Sequence, residues 1–165
     1  SFLTRSPQPI AVLGEGIAYH RPAIEASGAT VLDAQLWPAQ VQNVFAIGLE
    51  ALKWVGATSR QVGVPYPDLW CADFINFILR RTGHATTNSR AAKSFLDYGK
   101  RIDSPRVGAI VVLQRGRDNG HVGIVRGTDG AGNIIVISGN HGNKVWESPY
   151  PKERVLGYVI PTESN

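Results

Sequence analysis

Residues 65–79 read PYPDLWCADFINFIL, and this stretch contains Cys71, the only cysteine of the 165-residue chain. Pro67 disfavours a helix continuing from upstream, and Asp68 is a good N-cap because its carboxylate can accept backbone N–H groups of a first turn. Apolar residues then recur at helical spacing: Cys71, Phe74, Ile75, Ile78 and Leu79. The pattern predicts a helix that starts near Cys71, ends near 81–83 and holds the sulfur at the inner edge of its first turn.

The predicted position of Cys71 has two interpretations. Free N–H groups and the positive end of a helix favour a thiolate over a thiol, and the thiolate is the nucleophile. Asp68 and Asp73 act in the opposite direction, because nearby negative charge raises the pKa of a thiol. A lone cysteine on an apolar helical stripe is also commonly a small buried hydrophobe. The helix alone therefore leaves a nucleophile and a structural cysteine as alternatives.

The composition is that of an ordinary globular protein, with 43% hydrophobic and 18% charged residues. The length suits one domain, which we assign to 39–165. Residues 1–38 contain four prolines and no lasting periodicity, so we expect an N-terminal extension or linker there. No run of about 20 apolar residues is present to cross a bilayer, and we expect no membrane span.

The cysteine count and the charge distribution narrow the range of partners. A single cysteine excludes a disulfide within the chain, and with four scattered histidines it gives no zinc-ligand spacing, so we expect no metal and no cofactor. Residues 1–64 hold four basic and four acidic residues, so the net charge of +4 falls in 65–165. That excess suits an anionic polymer. Nucleic acid is not expected, because no basic cluster is interleaved with aromatic residues.

The remainder of the chain divides into a helical part and a strand-rich part. Helical spacing after Pro38 predicts a helix over 39–55 that stops at Gly56, and Ser89 is the predicted N-cap of a third helix closed by Gly99. Five short β-branched runs follow, over 108–113, 121–126, 134–138, 144–147 and 155–160. Their hairpin-sized connections predict an antiparallel meander. The predicted fold class is therefore α+β, with N-terminal helices packed on a sheet of about five strands.

His121 stands at the predicted start of a strand and is the candidate base for the thiol. A thiol nucleophile needs a base about 3 Å away, and an imidazole at a strand start can face a helix N-terminus packed across the sheet. The imidazole in turn needs an acceptor that fixes its tautomer. Antiparallel pairing brings the end of the next strand, with Asn140, back beside His121. His141 is the alternative third member, although strand alternation turns it to the other face.

Six segments together resemble the CHAP and NlpC-type cysteine peptidases, papain-like bacterial cell-wall amidases and endopeptidases. They are WCADFIN (70–76), SRAAKSFL (89–96), PRVGAIVV (105–112), GHVG (120–123), GN (139–140) and RVLGY (154–158). The resemblance covers about residues 45–161 and implies a papain-like fold, with Cys71 as nucleophile, His121 as general base and Asn140 as its orienting partner. It also implies cleavage of an amide bond in peptidoglycan, within the stem peptide or at its junction with the glycan.

Other positions near these motifs are candidates for oxyanion or substrate binding: Tyr66, Trp70, Asp73 and Trp146. In the NlpC branch a tyrosine ahead of the cysteine lies near the oxyanion. Tyr66 is the candidate for that place, with an ordinary turn aromatic as the favoured alternative, and the backbone N–H of Cys71 is the favoured oxyanion donor. Trp70 and Trp146 form either an aromatic wall for the substrate or part of the core. CHAP members commonly carry glutamate where this chain has Ser138.

Three functions are compatible with these features. The first is a monomeric peptidoglycan hydrolase acting at the cell wall, in a secreted or periplasmic location. The second is the same hydrolase exported as an antibacterial toxin and neutralised by an immunity protein. The third is a degenerate wall-binding module in which the fold persists and the thiol is idle.

Overall fold

The computed structural model describes residues 11–12, 30–31 and 39–161, with side chains from residue 43 onward. The chain forms two compact units, Ser1–Gln42 and Asn43–Asn165. In the first unit, strands β1 (Ala11–Val12) and β2 (Thr30–Val31) pair in parallel. The rest of the predicted extension over 1–38 lies outside the described residues, so the predicted domain boundary stays a prediction.

The described residues form three α-helices and two short 3₁₀ helices. The α-helices are α1 (Ala39–Leu52), α2 (Ser59–Val62) and α3 (Cys71–Arg81), and the 3₁₀ helices are Ala92–Asp97 and Lys152–Arg154. The observed α3 confirms the predicted cysteine helix and its C-terminal end. α1 ends before the predicted residue 55 because the chain turns at Gly56, whose N–H donates to the Val145 carbonyl at 2.8 Å. The predicted third helix is the 3₁₀ helix that begins at Ala92.

A six-stranded antiparallel sheet forms the body of the second unit. Its strands are β3 (Lys100–Ile102), β4 (Ile110–Arg115), β5 (Asn119–Thr128), β6 (Ile134–His141), β7 (Lys144–Tyr150) and β8 (Val155–Ile160). They lie in the order β3-β8-β4-β5-β6-β7. The predicted α+β class is confirmed, and the sheet gains a sixth strand because Lys100–Ile102 pairs with β8. β4 to β7 form the predicted meander, whereas β8 returns to pair with β4.

Each face of the sheet has its own apolar core, since alternate residues of a strand point to opposite faces. α3 packs against β5 and β6, with Trp70, Phe74, Val122 and Ile137 in one buried cluster. A second buried cluster collects the other side chains of the strands: Ala109, Val111, Leu113, Val125, Ile134, Val136, Tyr150 and Tyr158. Cys71 belongs to the first cluster, on the face that α3 covers.

Gly139 sets how closely α3 approaches the sheet. A Cβ atom at this position would lie 2.7 Å from the Cβ of Phe74 and 2.8 Å from the Trp70 ring, which is closer than real Cβ contacts. The start of α3 therefore rests directly on the backbone of β6. Because Trp70 and Phe74 flank Cys71 in sequence, this close approach also fixes the height of the sulfur above the sheet.

Candidate active site

Cys71 is the first residue of α3, and the turn before it determines how the helix begins. Leu69 adopts φ 54°, a left-handed conformation that is uncommon for residues other than glycine. Trp70 is the N-cap and forms no side-chain cap hydrogen bond. The prediction of Asp68 as N-cap is wrong, because the turn at Leu69 separates it from the helix and its carbonyl oxygen accepts from Arg90 at 3.4 Å.

The sulfur borders a cavity of about 300 Å³, although Cys71 is only 5% exposed. Leu69 and Cys71 form one wall, and the start of the Ala92–Asp97 helix with Lys93 forms the second. The hairpin from Arg115 to Gly120 forms the third. Gly120 allows these walls to meet, since a Cβ there would lie 3.0 Å from the Lys93 side chain. The cavity is large enough for part of a peptide beside the thiol.

Burial raises the pKa of the Cys71 thiol, and four neighbouring groups lower it in part. They are the backbone N–H groups of Val122, Ala72 and Cys71 and the positive charge of Arg115. The sequence predicted the helix N–H groups to favour the thiolate, and they act in that direction. Desolvation outweighs them, so the resting group is a thiol with several donors already directed at its sulfur.

Asp73 lies two residues after the thiol, and its carboxylate is held by two partners. Tyr66 donates its hydroxyl to Oδ1 at 2.9 Å, and Arg90 forms an ion pair with Oδ2 at 3.5 Å. The Arg90 guanidinium also stacks over the Tyr66 ring, 3.7 Å from its centroid. This pairing compensates the negative charge that the sequence placed beside Cys71. The Tyr66 hydroxyl is engaged with Asp73, so the structure gives no oxyanion contact for it.

Asn76 is the second polar residue of the cysteine helix, and its hydrogen bonds explain its presence there. Its Nδ2 donates to the Thr87 hydroxyl and to the Ser89 carbonyl, both at 3.1 Å, and its Oδ1 accepts from the Thr87 N–H at 3.0 Å. Asn76 is buried, and these bonds satisfy its amide. They tie the segment that leads into the Ala92–Asp97 helix to α3, and so fix one wall of the cavity.

His121 is the third residue of β5 and is 3% exposed. Burial lowers the pKa of its imidazole to about 4, assisted by the positive charges of Arg115, Arg154 and His141. The ring is therefore neutral at pH 7, as a general base requires. Neither ring nitrogen has a hydrogen-bond partner among the described residues.

The structure brings Cys71 and His121 close along the backbone but does not join them by a hydrogen bond. The N–H of Val122, the residue after His121, is directed at the sulfur. The His121 ring itself lies 5.8 Å from the Tyr150 ring, and His121 pairs in register with Leu113. Both neighbours belong to the core on the other face from α3. The predicted hydrogen bond between sulfur and imidazole is thus absent from this resting arrangement.

The end of β6 departs from regular strand geometry, and this affects both candidates for the third member. Asn140 has φ 60°, and the register with β7 shifts between Ser138 and His141. Since the His121 ring has no partner, Asn140 forms no hydrogen bond with it. The irregularity also overturns the expected direction of His141. Its ring nitrogens lie 3.2 Å from the Ser148 hydroxyl and 3.5 Å from the Tyr150 hydroxyl, beside the ring that contacts His121.

The two tryptophans proposed as a substrate wall have different surroundings. Trp70 is fully buried and packs edge-to-face on Phe74 at 6.5 Å, so it is a core residue. Its indole nitrogen has no hydrogen-bond partner among the described residues. Trp146 on β7 is 49% exposed and does not line the cavity at Cys71.

One residue near the site, Arg115, was missed by the sequence reasoning, and a second, Ser138, was noted there only as a departure from the family pattern. Arg115 ends β4, lines the cavity and acts electrostatically on both Cys71 and His121. Its place at a hairpin beside the predicted base was a usable signal. Ser138 is fully buried, and its hydroxyl has no partner among the described residues. It lies beside Gly123, where a Cβ would approach Ser138 Cβ to 3.1 Å.

The structure has a buried cysteine at the start of a helix. That helix packs on an antiparallel sheet, and one strand of the sheet carries a histidine. This arrangement defines the papain-like class of α+β proteins. Residues 59–140 match the model of the CHAP domain, which spans α2, α3 and the first strands of the meander. The chain belongs to the CHAP domain family. CHAP domains are generally hydrolases that act on peptidoglycan as amidases or peptidases. No functionally curated protein matches the chain.

No helix in the described ranges is long and apolar enough to cross a bilayer. No three histidine, cysteine or acidic side chains within 39–161 lie together in a way that could hold a metal ion.

Proposed function

We propose that this chain is a cysteine hydrolase that cleaves an amide bond of bacterial peptidoglycan, with Cys71 as nucleophile and His121 as general base. The observation that carries the proposal is the environment of the sulfur. The only cysteine starts a helix, borders a cavity and faces three backbone N–H groups, of which one follows His121 directly. A structural cysteine needs neither a cavity nor converging donors. The substrate places the enzyme outside the cytoplasm, at the cell wall.

The reaction begins from a neutral pair. Burial raises the pKa of the Cys71 thiol and lowers that of His121, so the resting groups are thiol and imidazole. His121 takes the thiol proton as the sulfur attacks the amide carbonyl, and a C–S bond forms. The imidazolium then donates that proton to the leaving amine as the C–N bond breaks. Water, deprotonated by His121, hydrolyses the thioester and restores the thiol.

The transition state requires donors and a mobile ring. The backbone N–H of Cys71 is the favoured oxyanion donor, because the turn that carries the sulfur presents it. The His121 ring must leave its packing against Tyr150 and move toward the sulfur, and since it has no hydrogen bond among the described residues, this movement breaks none. Catalytic hydrogen bonds are often long in unliganded enzymes and shorten in the complex with substrate.

The third catalytic group, which orients the His121 ring, is Asn140 or His141, and the contacts favour His141. Its ring lies beside Tyr150, whose ring in turn contacts His121, and its charge acts on the pKa of His121. Asn140 remains the candidate that the family resemblance implies. Separate Asn140→Ala and His141→Ala variants distinguish them, because the orienting residue is the one whose loss lowers kcat more than it raises KM.

The decisive experiment is mass spectrometry of purified muropeptides after digestion. The wild-type protein is expected to release fragments whose masses identify one scissile amide, and Cys71→Ala is expected to release none. Cys71→Ala removes little volume at the start of α3, and its circular dichroism serves as the folding control. Undigested muropeptides with both proteins, together with retained binding to the wall, would instead support the idle wall-binding module.

A further inference from the structure

The walls of the cavity at Cys71 carry an excess of positive charge. Three cationic side chains line it, those of Arg90, Lys93 and Arg115, against one carboxylate, that of Asp118. A wall of this sign beside a nucleophile favours a ligand with negative charge close to the reacting bond. The part of the substrate that lies in the cavity is therefore selected by charge as well as by shape.

The three cations are not equally available. Arg90 is occupied by Asp73 and by the Asp68 carbonyl, and Lys93 donates to the Asp118 carbonyl at 3.0 Å. Arg115 is exposed at the end of β4, and its side chain forms no hydrogen bond or ion pair within the described part of the chain. Its guanidinium has five donors in a planar fork that matches a carboxylate.

We propose that Arg115 forms an anion subsite in this cavity, which binds a carboxylate of the substrate next to the amide that Cys71 attacks. The substrate class is accordingly a peptide whose residue beside the scissile bond bears a free carboxylate rather than a carboxamide. The identity of the scissile bond rests on the proposed function, whereas the anion subsite does not. The charge of Arg115 also lowers the pKa of Cys71, which shows that it is within electrostatic reach of the sulfur.

Alkylation of Cys71 tests the subsite without any need for hydrolysis. The sulfur displaces iodide from iodoacetate, an anion, or from iodoacetamide, its neutral counterpart, and both reagents consume the same thiolate. A change in the thiol pKa alters both rate constants by the same factor, so the ratio of the two rate constants does not depend on it. For the wild-type protein we expect the ratio to exceed that of a free thiol such as glutathione. In Arg115→Gln it should fall about two- to fivefold, the size of a partly exposed charge pair.

Arg117→Gln is the matched control. It removes the same charge from the same hairpin, and Arg117 does not line the cavity. We expect it to leave the ratio unchanged, and added salt to reduce the wild-type ratio toward that of Arg115→Gln. An unchanged ratio in Arg115→Gln, or a fall only in Lys93→Gln, would overturn the assignment.

Hydrolysis then tests the substrate class. Wild-type protein should cleave muropeptides with a free carboxylate at higher kcat/KM than the corresponding carboxamides, and Arg115→Gln should reduce that preference, chiefly through KM. Altered alkylation ratios without hydrolysis would retain the subsite and reject the proposed function. Hydrolysis with equal preference in Arg115→Gln and wild-type protein would reject the subsite and retain the function.

Discussion

The two sides of the candidate site differ in how completely their polar groups are satisfied. On the thiol side, Asp73 is held by Tyr66 and Arg90, and the Asn76 amide by Thr87 and Ser89. The Trp70 indole nitrogen is the one buried group on that side without a partner among the described residues. On the imidazole side, both nitrogens of His121 and the Ser138 hydroxyl are buried without partners among the described residues. Each buried polar group without a hydrogen-bond partner lowers the free energy of unfolding by about 1–3 kcal/mol.

This difference separates a fixed nucleophile from an adjustable base. The hydrogen bonds on the thiol side hold the turn, the cavity wall and the start of α3 together. The imidazole is held by packing against Tyr150 and not by hydrogen bonds. Unsatisfied buried polar groups are few in native proteins and call for an explanation, of which a catalytic role is one.

The largest effect is expected from His121→Ala. Loss of a general base lowers kcat by about 10²–10⁴-fold. The free energy of unfolding at pH 7 should fall because the missing ring leaves a cavity, with no further cost from a lost hydrogen bond. Muropeptide turnover and urea unfolding measure the two quantities. Full activity in a folded His121→Ala protein would show that the imidazole side has no catalytic part.

Asn76→Ala probes the satisfied side. The variant loses three hydrogen bonds to Thr87 and Ser89. We expect the free energy of unfolding to fall by about 2–3 kcal/mol, because the half-buried partners lose their hydrogen bonds. Thr86→Ala, which removes an exposed hydrogen bond to Asn88, is the control and should cost about 0.5 kcal/mol. Equal losses of unfolding free energy in the two variants would contradict the expected difference between the hydrogen bonds of Asn76 and the exposed hydrogen bond of Thr86.

Acid should destabilise the protein through His121. Its pKa is about 4 in the folded state against 6.5 for an ordinary histidine, so the unfolded chain binds more protons between these values. Stability is therefore fully present above pH 6.5 and decreases as the pH falls toward 4, by about 3 kcal/mol. Burial also lowers the pKa of His84, so urea unfolding of His121→Gln is needed to isolate the contribution. A His121→Gln protein with the same pH dependence would assign it to other groups.

The smallest effect is expected from Ser138→Ala. The hydroxyl has no partner among the described residues, so its removal should leave the free energy of unfolding unchanged or raise it by about 1 kcal/mol. Ser94→Ala removes a hydroxyl that donates to the Ala91 carbonyl at 2.7 Å, and it should lower stability by about 0.5–1 kcal/mol. A larger loss in Ser138→Ala than in Ser94→Ala would indicate a partner for the Ser138 hydroxyl.

Local pattern was sufficient to predict α3 and the strands of the meander. Proline and the apolar spacing define the helix from Cys71 to Arg81, and short β-branched runs define the strands. The pairing of β8 with β4 is a contact between distant parts of the chain, and no local signal indicates it. The roles of Asp73 and Asn76 depend on loops that lie 11 to 17 residues further along the chain.

Backbone conformation explains where the prediction of the site was wrong. Strand alternation predicts that His141 faces away from His121, and this holds only while the strand is regular. The positive φ at Asn140 and the shifted register turn His141 toward Tyr150 instead. Asn140 was read as a carboxamide partner, although asparagine also tolerates this conformation. Likewise, the left-handed turn at Leu69, an unusual place for leucine, removed Asp68 from its predicted N-cap position.

The bare backbone at Gly139 offers a way to move the nucleophile without altering any group that lines the cavity. A methyl group there cannot fit beneath Trp70 and Phe74, so Gly139→Ala would lift the first turn of α3 away from β6. The sulfur would then withdraw from the Val122 N–H, which lowers the pKa of the thiol, while the residues of the other two cavity walls kept their identity. The absence of a side chain at Gly139 therefore determines the distance between the nucleophilic sulfur and the sheet.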